Sequence, residues 1–410
     1  MCFAVKVFLA LGTLLLGQSL WSLMDGLRFL RYVRASRREP LDDYAPQAAV
    51  IIPCKGLDAG IELNVPRYLE QEYPEYKLIF VVASERDPAF GFLQRLLKEV
   101  AQPENKGSPR VTLLVAKRSD CRGEKVNNLL CGLKAIDPSV KVLAFADSDA
   151  RPARDWLRSL VAPLADPGVM VSTGFRWYLP GASFVSQLRA AWDTSIATLL
   201  GDHNHNFAWG GSMAIRKADF DRIGVAERYW SNTVSDDYAV TRAVREAHGK
   251  IRFLPRCLLA SYEDSTLDDF IRWANRQIII TRVYAPHLWR MGLAAYVFHC
   301  GTVLLGFALI ILADISAGQR ALAIGFILVI LLLGIAKGYI CTVVKREVFP
   351  EESRTLRRYD ARYWQLAPLV PWVMLINFVV AGIARTIEWG GIRYELKSRD
   401  EVRVLDRKSS

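Results

Sequence analysis

Apolar positions along this chain fall into two kinds of block. Long apolar runs cover residues 3–24, 292–315 and 321–344. About 20 apolar residues cross a bilayer as a helix, so each run predicts a spanning helix. A further apolar stretch, 363–383, contains Pro368 and Pro371 and predicts a kinked, short or re-entrant segment. Between these blocks the pattern shortens. Apolar runs at 48–53, 78–83, 111–116, 142–146 and 169–173 alternate with helical periodicity at 62–73, 88–100, 125–134 and 156–164. That alternation predicts an α/β domain with a mainly parallel sheet. Residues 175–206 are less regular, with Trp177, Tyr178, Phe184 and Trp192 among small and polar residues. They read either as an amphipathic segment on a membrane face or as an ordinary core helix. The expected organisation is a spanning helix at 1–27, a basic linker at 28–47, the α/β domain at 48–290, a membrane-embedded region at 291–387 and a basic tail at 388–410.

Charge gives the spans a direction. The chain carries 53 Lys and Arg against 42 Asp and Glu, a net charge of +11. The basic clusters flank apolar spans, and no zinc-finger pattern or compact basic tract is present, which favours an anionic membrane surface over nucleic acid. Arg28, Arg31, Arg34, Arg37 and Arg38 follow the first span, where a secretory leader would carry a small-residue cleavage site. Five arginines put that side in the cytoplasm and the N-terminus outside. Basic residues at 345–362 and in the tail after Arg385 both prefer the cytoplasm, yet one apolar segment separates them. A helical hairpin followed by a membrane-embedded or interfacial third segment resolves the parity. None of the seven cysteines forms a CxxC pair. They make neither a disulfide framework nor a zinc site, and a reducing compartment is expected for the catalytic region.

The candidate chemistry lies in the α/β block. The run 142–146 ends in Asp147-Ser148-Asp149, two carboxylates beyond the C-terminal end of a strand. Ligands of parallel sheets bind there, and Mg²⁺ commonly takes one or two carboxylates plus substrate phosphates. A solvated loop with a helix cap gives the same pattern. Trp209-Gly210-Gly211 reads as a tight turn into a strand, with two glycines that let the backbone approach a ligand closely. Ser235-Asp236-Asp237-Tyr238 opens an amphipathic helix, where acidic residues also serve as ordinary caps. The Arg272-Trp273 pair suits an interfacial anchor, or a cation facing a diphosphate with an aromatic face toward an acceptor.

The order of these motifs is more specific than any one of them. The chain runs Ile52-Pro53-Cys54-Lys55-Gly56, Glu85-Arg86-Asp87-Pro88-Ala89, Gly123-Glu124-Lys125-Val126-Asn127-Asn128-Leu129, Ala146-Asp147-Ser148-Asp149, Asp236-Asp237-Tyr238 and Ile271-Arg272-Trp273. This series resembles family 2-type GT-A glycosyltransferases. More narrowly, it resembles the ceramide glucosyltransferase family and its bacterial relatives, including hopanoid-linked glycosyltransferases. The resemblance covers residues 48–273. It implies that Glu85 and Asp87 hold the uridine end of a UDP-sugar, with Lys55 and Lys125 also on the donor side. Asp147 would lie near diphosphate and metal, with Asp149 completing a DxD-like pair for a divalent cation, Mg²⁺ or Mn²⁺. Asp237 would be the general base. Arg272 and Trp273 match the end of the (Gln/Arg)-x-x-Arg-Trp signature, whose first position is Asp269 here. That departure weighs against close kinship with processive polysaccharide synthases.

The implied activity is an inverting transfer of a hexose, glucose first, from UDP to a lipid hydroxyl such as that of ceramide. The implied location is the cytoplasmic face of a bacterial plasma membrane. The alternatives are a processive exopolysaccharide synthase, which needs a channel of several helices, and a non-catalytic nucleotide-sugar-binding scaffold, against which the retained aspartates stand.

Overall fold

The computed structural model describes residues 3–57, 60–100, 109–262 and 264–407; residues 1–2 (with Cys2), 58–59, 101–108, 263 and 408–410 lie outside the described set. The described residues form ten strands: β1 (Ala48–Pro53), β2 (Tyr76–Val82), β3 (Arg110–Val115), β4 (Val142–Ala146), β5 (Val169–Tyr178), β6 (Ser212–Arg216), β7 (Lys250–Ser261), β8 (Thr386–Trp389), β9 (Ile392–Ser398) and β10 (Glu401–Arg407). The α-helices up to the last long loop are α1 (Phe3–Arg38), α2 (Ile61–Leu69), α3 (Pro88–Val100), α4 (Glu124–Leu133), α5 (Trp156–Val161), α6 (Phe184–Ala197), α7 (Lys217–Arg222) and α8 (Asp236–Glu246). After it come α9 (Leu267–Tyr284), α10 (Pro286–Leu312), α11 (Ala317–Val348), α12 (Ser353–Gln365) and α13 (Val370–Ile383). They form two compact units. One comprises Ala35–Tyr178, Leu199–Glu263 and Arg385–Ser410; the other comprises Met1–Arg34, Leu179–Thr198 and Asp264–Ala384.

The first unit holds a seven-stranded sheet in the order β3-β2-β1-β4-β6-β5-β7. Only β6 runs antiparallel to the rest. The central strands are buried on both faces and so read as continuous apolar runs. Tyr68 of α2, Leu93 of α3 and Trp156 of α5 pack with Val50, Ile52 and Phe80 on one face. Val126 of α4, Phe220 of α7 and Val240 of α8 pack with Ile51 and Phe145 on the other. From β1 the chain winds outward through β2 to β3, then returns through α4 to place β4 on the opposite side of β1. The reversal makes the carboxyl ends of β1 and β4 a topological switch point, where α/β sheets bind ligands.

Several boundaries differ from the expected ones. The helix expected at 62–73 ends at Leu69, because the Gln71 side chain is tied across to Ala153 O and Leu157 N at 2.9 Å each, which turns the chain. The helix expected at 156–164 ends at Val161, before a 3₁₀ turn containing Pro163. Strand β5 continues past the expected 169–173 to Tyr178, through a bulge between Thr173 and Phe175. Gly174 sits at the bulge, and a Cβ there would lie 1.9 Å from Cys257 O. The irregular stretch 175–206 thus begins as strand and continues as α6.

From Thr386 onward, where the sequence shows mainly charge, the chain forms a three-stranded antiparallel sheet, β10-β9-β8. Gly390 and Gly391, with φ of 57° and 71°, make its first hairpin turn. Ile392, Tyr394 and Leu396 alternate with charged residues and are buried, so one face of this small sheet is a core face. The Tyr394 hydroxyl accepts a hydrogen bond from the Glu124 N–H at 3.1 Å, and the Arg407 guanidinium donates to Ser119 O.

In the second unit, α1, α10 and α11 are long and apolar enough to cross a membrane. Small residues mark their close approaches, as is common between membrane helices. Gly12 faces Phe326, and Gly306 faces Phe8 and Ile327. Arg34 and Glu347 pair at 2.6 Å, so α1 and α11 end together. Helix α13 has 14 residues, about 21 Å of rise against a hydrocarbon core of about 30 Å, so it is too short to span. Helix α6 belongs to this unit and buries ten of its residues, Arg189 and Asp193 among them. It is a core helix of the helical unit. Its Trp192 donates to Asn377 Oδ1 at 3.0 Å, and Asn377 donates to Asn275 Oδ1 at 2.8 Å.

Because the Gly174 Cβ position is occupied by a backbone carbonyl, the Gly174→Ala variant should shift the β5–β7 register locally. Overpacking of this kind typically costs about 1–3 kcal/mol. Thermal unfolding of the detergent-solubilised chain should show a lowered midpoint for Gly174→Ala and none for Gly318→Ala, whose Cβ would meet open space.

Candidate active site

The functional side chains of the sheet unit collect at one edge. Lys55 follows β1, Glu85 and Asp87 follow β2, and Asp147 and Asp149 follow β4. Arg176 lies near the end of β5, and Trp209-Gly210-Gly211 leads into β6, whose reversed direction brings its start to the same edge. Helices α4 and α8 add Lys125, Asp236 and Asp237 from their first turns. The two helix starts are tied, since Gly123 N–H donates to Thr233 O at 2.9 Å.

An ion cluster forms where these elements meet. Lys125 Nζ lies 2.7 Å from Asp147 Oδ1 and 3.3 Å from Asp236 Oδ2. The Arg176 guanidinium reaches Asp147 Oδ2 at 3.0 Å and holds Asp149 through both its nitrogens, at 2.8 and 2.6 Å. Each of the four oxygens of the Asp147–Asp149 pair therefore faces a protein cation. Trp209 and Tyr178 flank Arg176, with ring centroids 5.4 and 5.6 Å from its central carbon.

Burial and charge set the protonation of the cluster. Burial works against the charged form of Asp147, but Lys125 and Arg176 overcome it and hold the carboxyl below its usual range. Burial likewise opposes the Lys125 charge, and Asp147 and Asp236 outweigh it, so the ammonium stays protonated. Asp236 behaves differently. Burial lifts it to about 7, against Lys125 and assisted by the charges of Asp237 and Asp147.

The glycines at 210 and 211 make room within the cluster. A Cβ on Gly210 would lie 1.8 Å from Asp236 Oδ2, and one on Gly211 would lie 2.3 Å from the Trp209 ring and 2.5 Å from Asp147 Oδ2. Asp237 lies one residue beyond Asp236 and is more exposed. Its Oδ1 accepts from the Ser235 hydroxyl and from Tyr238 N–H, and its Oδ2 carries no bond among the described residues.

The other sequence-derived residues have partners outside the cluster or stand exposed. Lys55 pairs with Glu124 at 2.6 Å. Asp87 Oδ1 accepts from Gly56 N–H at 2.8 Å and Ala89 N–H at 2.9 Å, so it fixes the loop after β1 and caps α3. Glu85 is exposed in the turn after β2. Arg272 and Trp273 lie on α9 in the helical unit. There Arg272 pairs with Asp268 at 2.8 Å and Asp269 at 2.9 Å, while Trp273 packs edge-on to Trp192 and beneath Arg189. The unusual Asp269 is thus a partner of the signature arginine.

Two members of the cluster were given no role from the sequence. Asp236 stood in the same motif as the more exposed Asp237, and only burial separates them. Arg176 belongs to no motif. Its signal is a lone charge in the apolar run Val169–Tyr178. As donors, Asp147 and Asp149 offer the hard oxygens that Mg²⁺ or Mn²⁺ takes, and they already converge on one cationic group. Among the described residues no set of three or more His, Cys, Asp or Glu side chains could hold a metal ion, so the protein side chains alone do not complete a metal site.

The chain is similar to known proteins. The model of glycosyl transferase family 21 matches residues 14–402. A ceramide glucosyltransferase of Komagataella phaffii is 28% identical over 102 residues, 23% of this chain and 18% of that relative's length. A solved structure, the mannosyltransferase PcManGT from Pyrobaculum calidifontis in complex with GDP-Man and Mn²⁺, aligns with 92% of this chain and 98% of its own, at 16% identity and a TM-score of 0.47.

The raised Asp236 predicts a pH dependence of stability. Unfolded, the carboxyl titrates near 3.8; folded, near 7. Between those values the native state holds a proton that the unfolded state has lost, so stability falls as pH rises through the interval. Thermal midpoints measured from pH 5 to 8 should therefore fall for the native sequence relative to Asp236→Asn. Parallel curves would refute the assignment of that proton.

Proposed function

Since the chain belongs to glycosyl transferase family 21, we propose that it is an inverting, membrane-bound hexosyltransferase, moving a sugar (glucose first among candidates) from a UDP-sugar to the hydroxyl of a membrane lipid such as ceramide. The observation that carries this reading is the half-buried Lys125–Asp147–Arg176–Asp149 cluster at the switch point of the sheet, with three helices among the described residues long and apolar enough to cross a membrane.

The roles follow from position. Lys55, Glu85 and Asp87 lie beyond β1 and β2 and suit the uridine end. Lys125 and Arg176 suit the diphosphate. Asp147 and Asp149 would hold a divalent cation, Mg²⁺ or Mn²⁺, which when bound would offset the charge that develops on departing UDP. Asp237 suits the base, because its Oδ1 is held by Ser235 and Tyr238 while Oδ2 is open to take the acceptor hydroxyl's proton. The acceptor oxygen then bonds to the anomeric carbon as the bond from that carbon to UDP breaks. One displacement inverts the configuration.

The lipid acceptor is supported by the helical unit. The helix that carries Arg272 and Trp273 clusters with the spanning helices and not with the sheet. The shared end of α1 and α11, marked by Arg34 and Glu347, is basic, which favours the cytoplasmic face. The series of motifs favours a bacterial plasma membrane. Three spanning helices are few for a channel that extrudes a polysaccharide.

The test is transfer by the purified full chain in detergent, with radiolabelled UDP-sugars, Mn²⁺ and a total lipid extract, and products resolved by thin-layer chromatography. One labelled glycolipid is expected, and it should disappear with EDTA. The Asp237→Asn variant should lower turnover by about 10²–10⁴-fold with UDP affinity unchanged. Unaltered turnover would remove Asp237 as the base. No labelled lipid from any UDP-sugar would overturn the activity.

A further inference from the structure

We propose that Arg176 is the resident counter-ion of the Asp147–Asp149 pair, and that it yields the pair only when a nucleoside diphosphate offers its guanidinium another anion. Binding of a divalent cation and of the diphosphate is then interdependent. The inference rests on reading the cluster as a donor site and deepens that reading.

The geometry argues for it in three steps. Arg176 bonds both carboxylates, and its grip on Asp149 uses both oxygens. Lys125 cannot substitute, because it is engaged between Asp147 and Asp236. The Arg176 side chain is only 13% exposed, so a divalent cation arriving alone would leave a buried guanidinium without its anions. Stranding a buried charge is strongly unfavourable.

A diphosphate changes that balance. Its oxygens accept the planar fork of an arginine as well as a carboxylate does. The Trp209 and Tyr178 rings keep the guanidinium at the carboxyl edge of the sheet, and the Tyr178 hydroxyl accepts from it at 3.0 Å. Arg176 can therefore exchange one pair of anions for another with little travel. By linkage, UDP raises the affinity for the cation by the same factor as the cation raises the affinity for UDP.

The measurement is Mn²⁺ uptake by the full chain in detergent, read from the electron paramagnetic resonance signal of unbound Mn²⁺, with and without saturating UDP. The native sequence should bind Mn²⁺ at least about tenfold more tightly with UDP. Arg176→Gln should bind Mn²⁺ without UDP more tightly than the native chain does, and the effect of UDP should shrink. Gel filtration and tryptophan fluorescence report whether that variant folds. If it does not, Arg176→Lys, whose ammonium cannot hold both carboxylates in a fork, should move in the same direction by a smaller amount. Equal Mn²⁺ affinity with and without UDP in the native chain overturns the proposal. So does an Arg176 variant that binds Mn²⁺ no more tightly than the native chain. If UDP binds in either case, the donor-site reading survives; if neither UDP nor Mn²⁺ binds the native chain, both fall.

Discussion

Asp236 is buried, and Asp147 and Asp149 half-buried, beside one another only because Lys125 and Arg176 are half-buried among them. Carboxylates withdrawn from water at this spacing repel one another, and each needs a cation or a proton. Lys125 and Arg176 supply two charges to the DxD-like pair, while the deepest carboxyl, Asp236, keeps a proton near neutral pH. Much of the surrounding backbone answers to this constraint. Gly210 and Gly211 clear the space that the Asp236 and Asp147 carboxylates occupy. Gly123 ties the start of α4, and so Lys125, to the loop before α8. The bulge at Gly174 carries β5 on to Arg176. From outside, the Tyr394 hydroxyl accepts the first N–H of α4, so the C-terminal sheet steadies the same helix.

The spans, the alternation of strands and helices, and the aspartates at the ends of elements were all legible in the sequence. They depend on local pattern, which hydrophobic periodicity and turn chemistry record. What stayed hidden depends on partners distant in the chain. Arg176 is one charge in an apolar strand, and its meaning appears only when β5 lies two strands from β4. Asp236 and Asp237 are neighbours in sequence with opposite environments, one buried against Lys125 and one open on one side. The glycines at 210 and 211 show a need for space but not what fills it. The C-terminal sheet was masked by charge, although Ile392, Tyr394 and Leu396 alternate as a half-buried strand must.

Membrane attachment and chemistry divide between the two units. The sheet unit has the Lys125–Asp147–Arg176–Asp149 cluster, proposed above as the donor site. The helical unit has the spanning helices and, on α9, the Arg-Trp pair expected on the acceptor side. A lipid whose hydroxyl is the acceptor would satisfy both assignments at once. Within the helical unit, α1 and α11 end together at the Arg34–Glu347 pair.

The central claim is that the buried ion cluster is the diphosphate site. A cryo-electron microscopy structure of the full chain in a lipid nanodisc with UDP and Mn²⁺ tests it most directly. The diphosphate should lie at the carboxyl ends of β1 and β4, within hydrogen-bond distance of Lys125 and Arg176, with the Arg176 guanidinium turned from Asp149 to phosphate. UDP bound elsewhere, with the Lys125–Asp147–Arg176–Asp149 cluster still closed on itself, would contradict the claim.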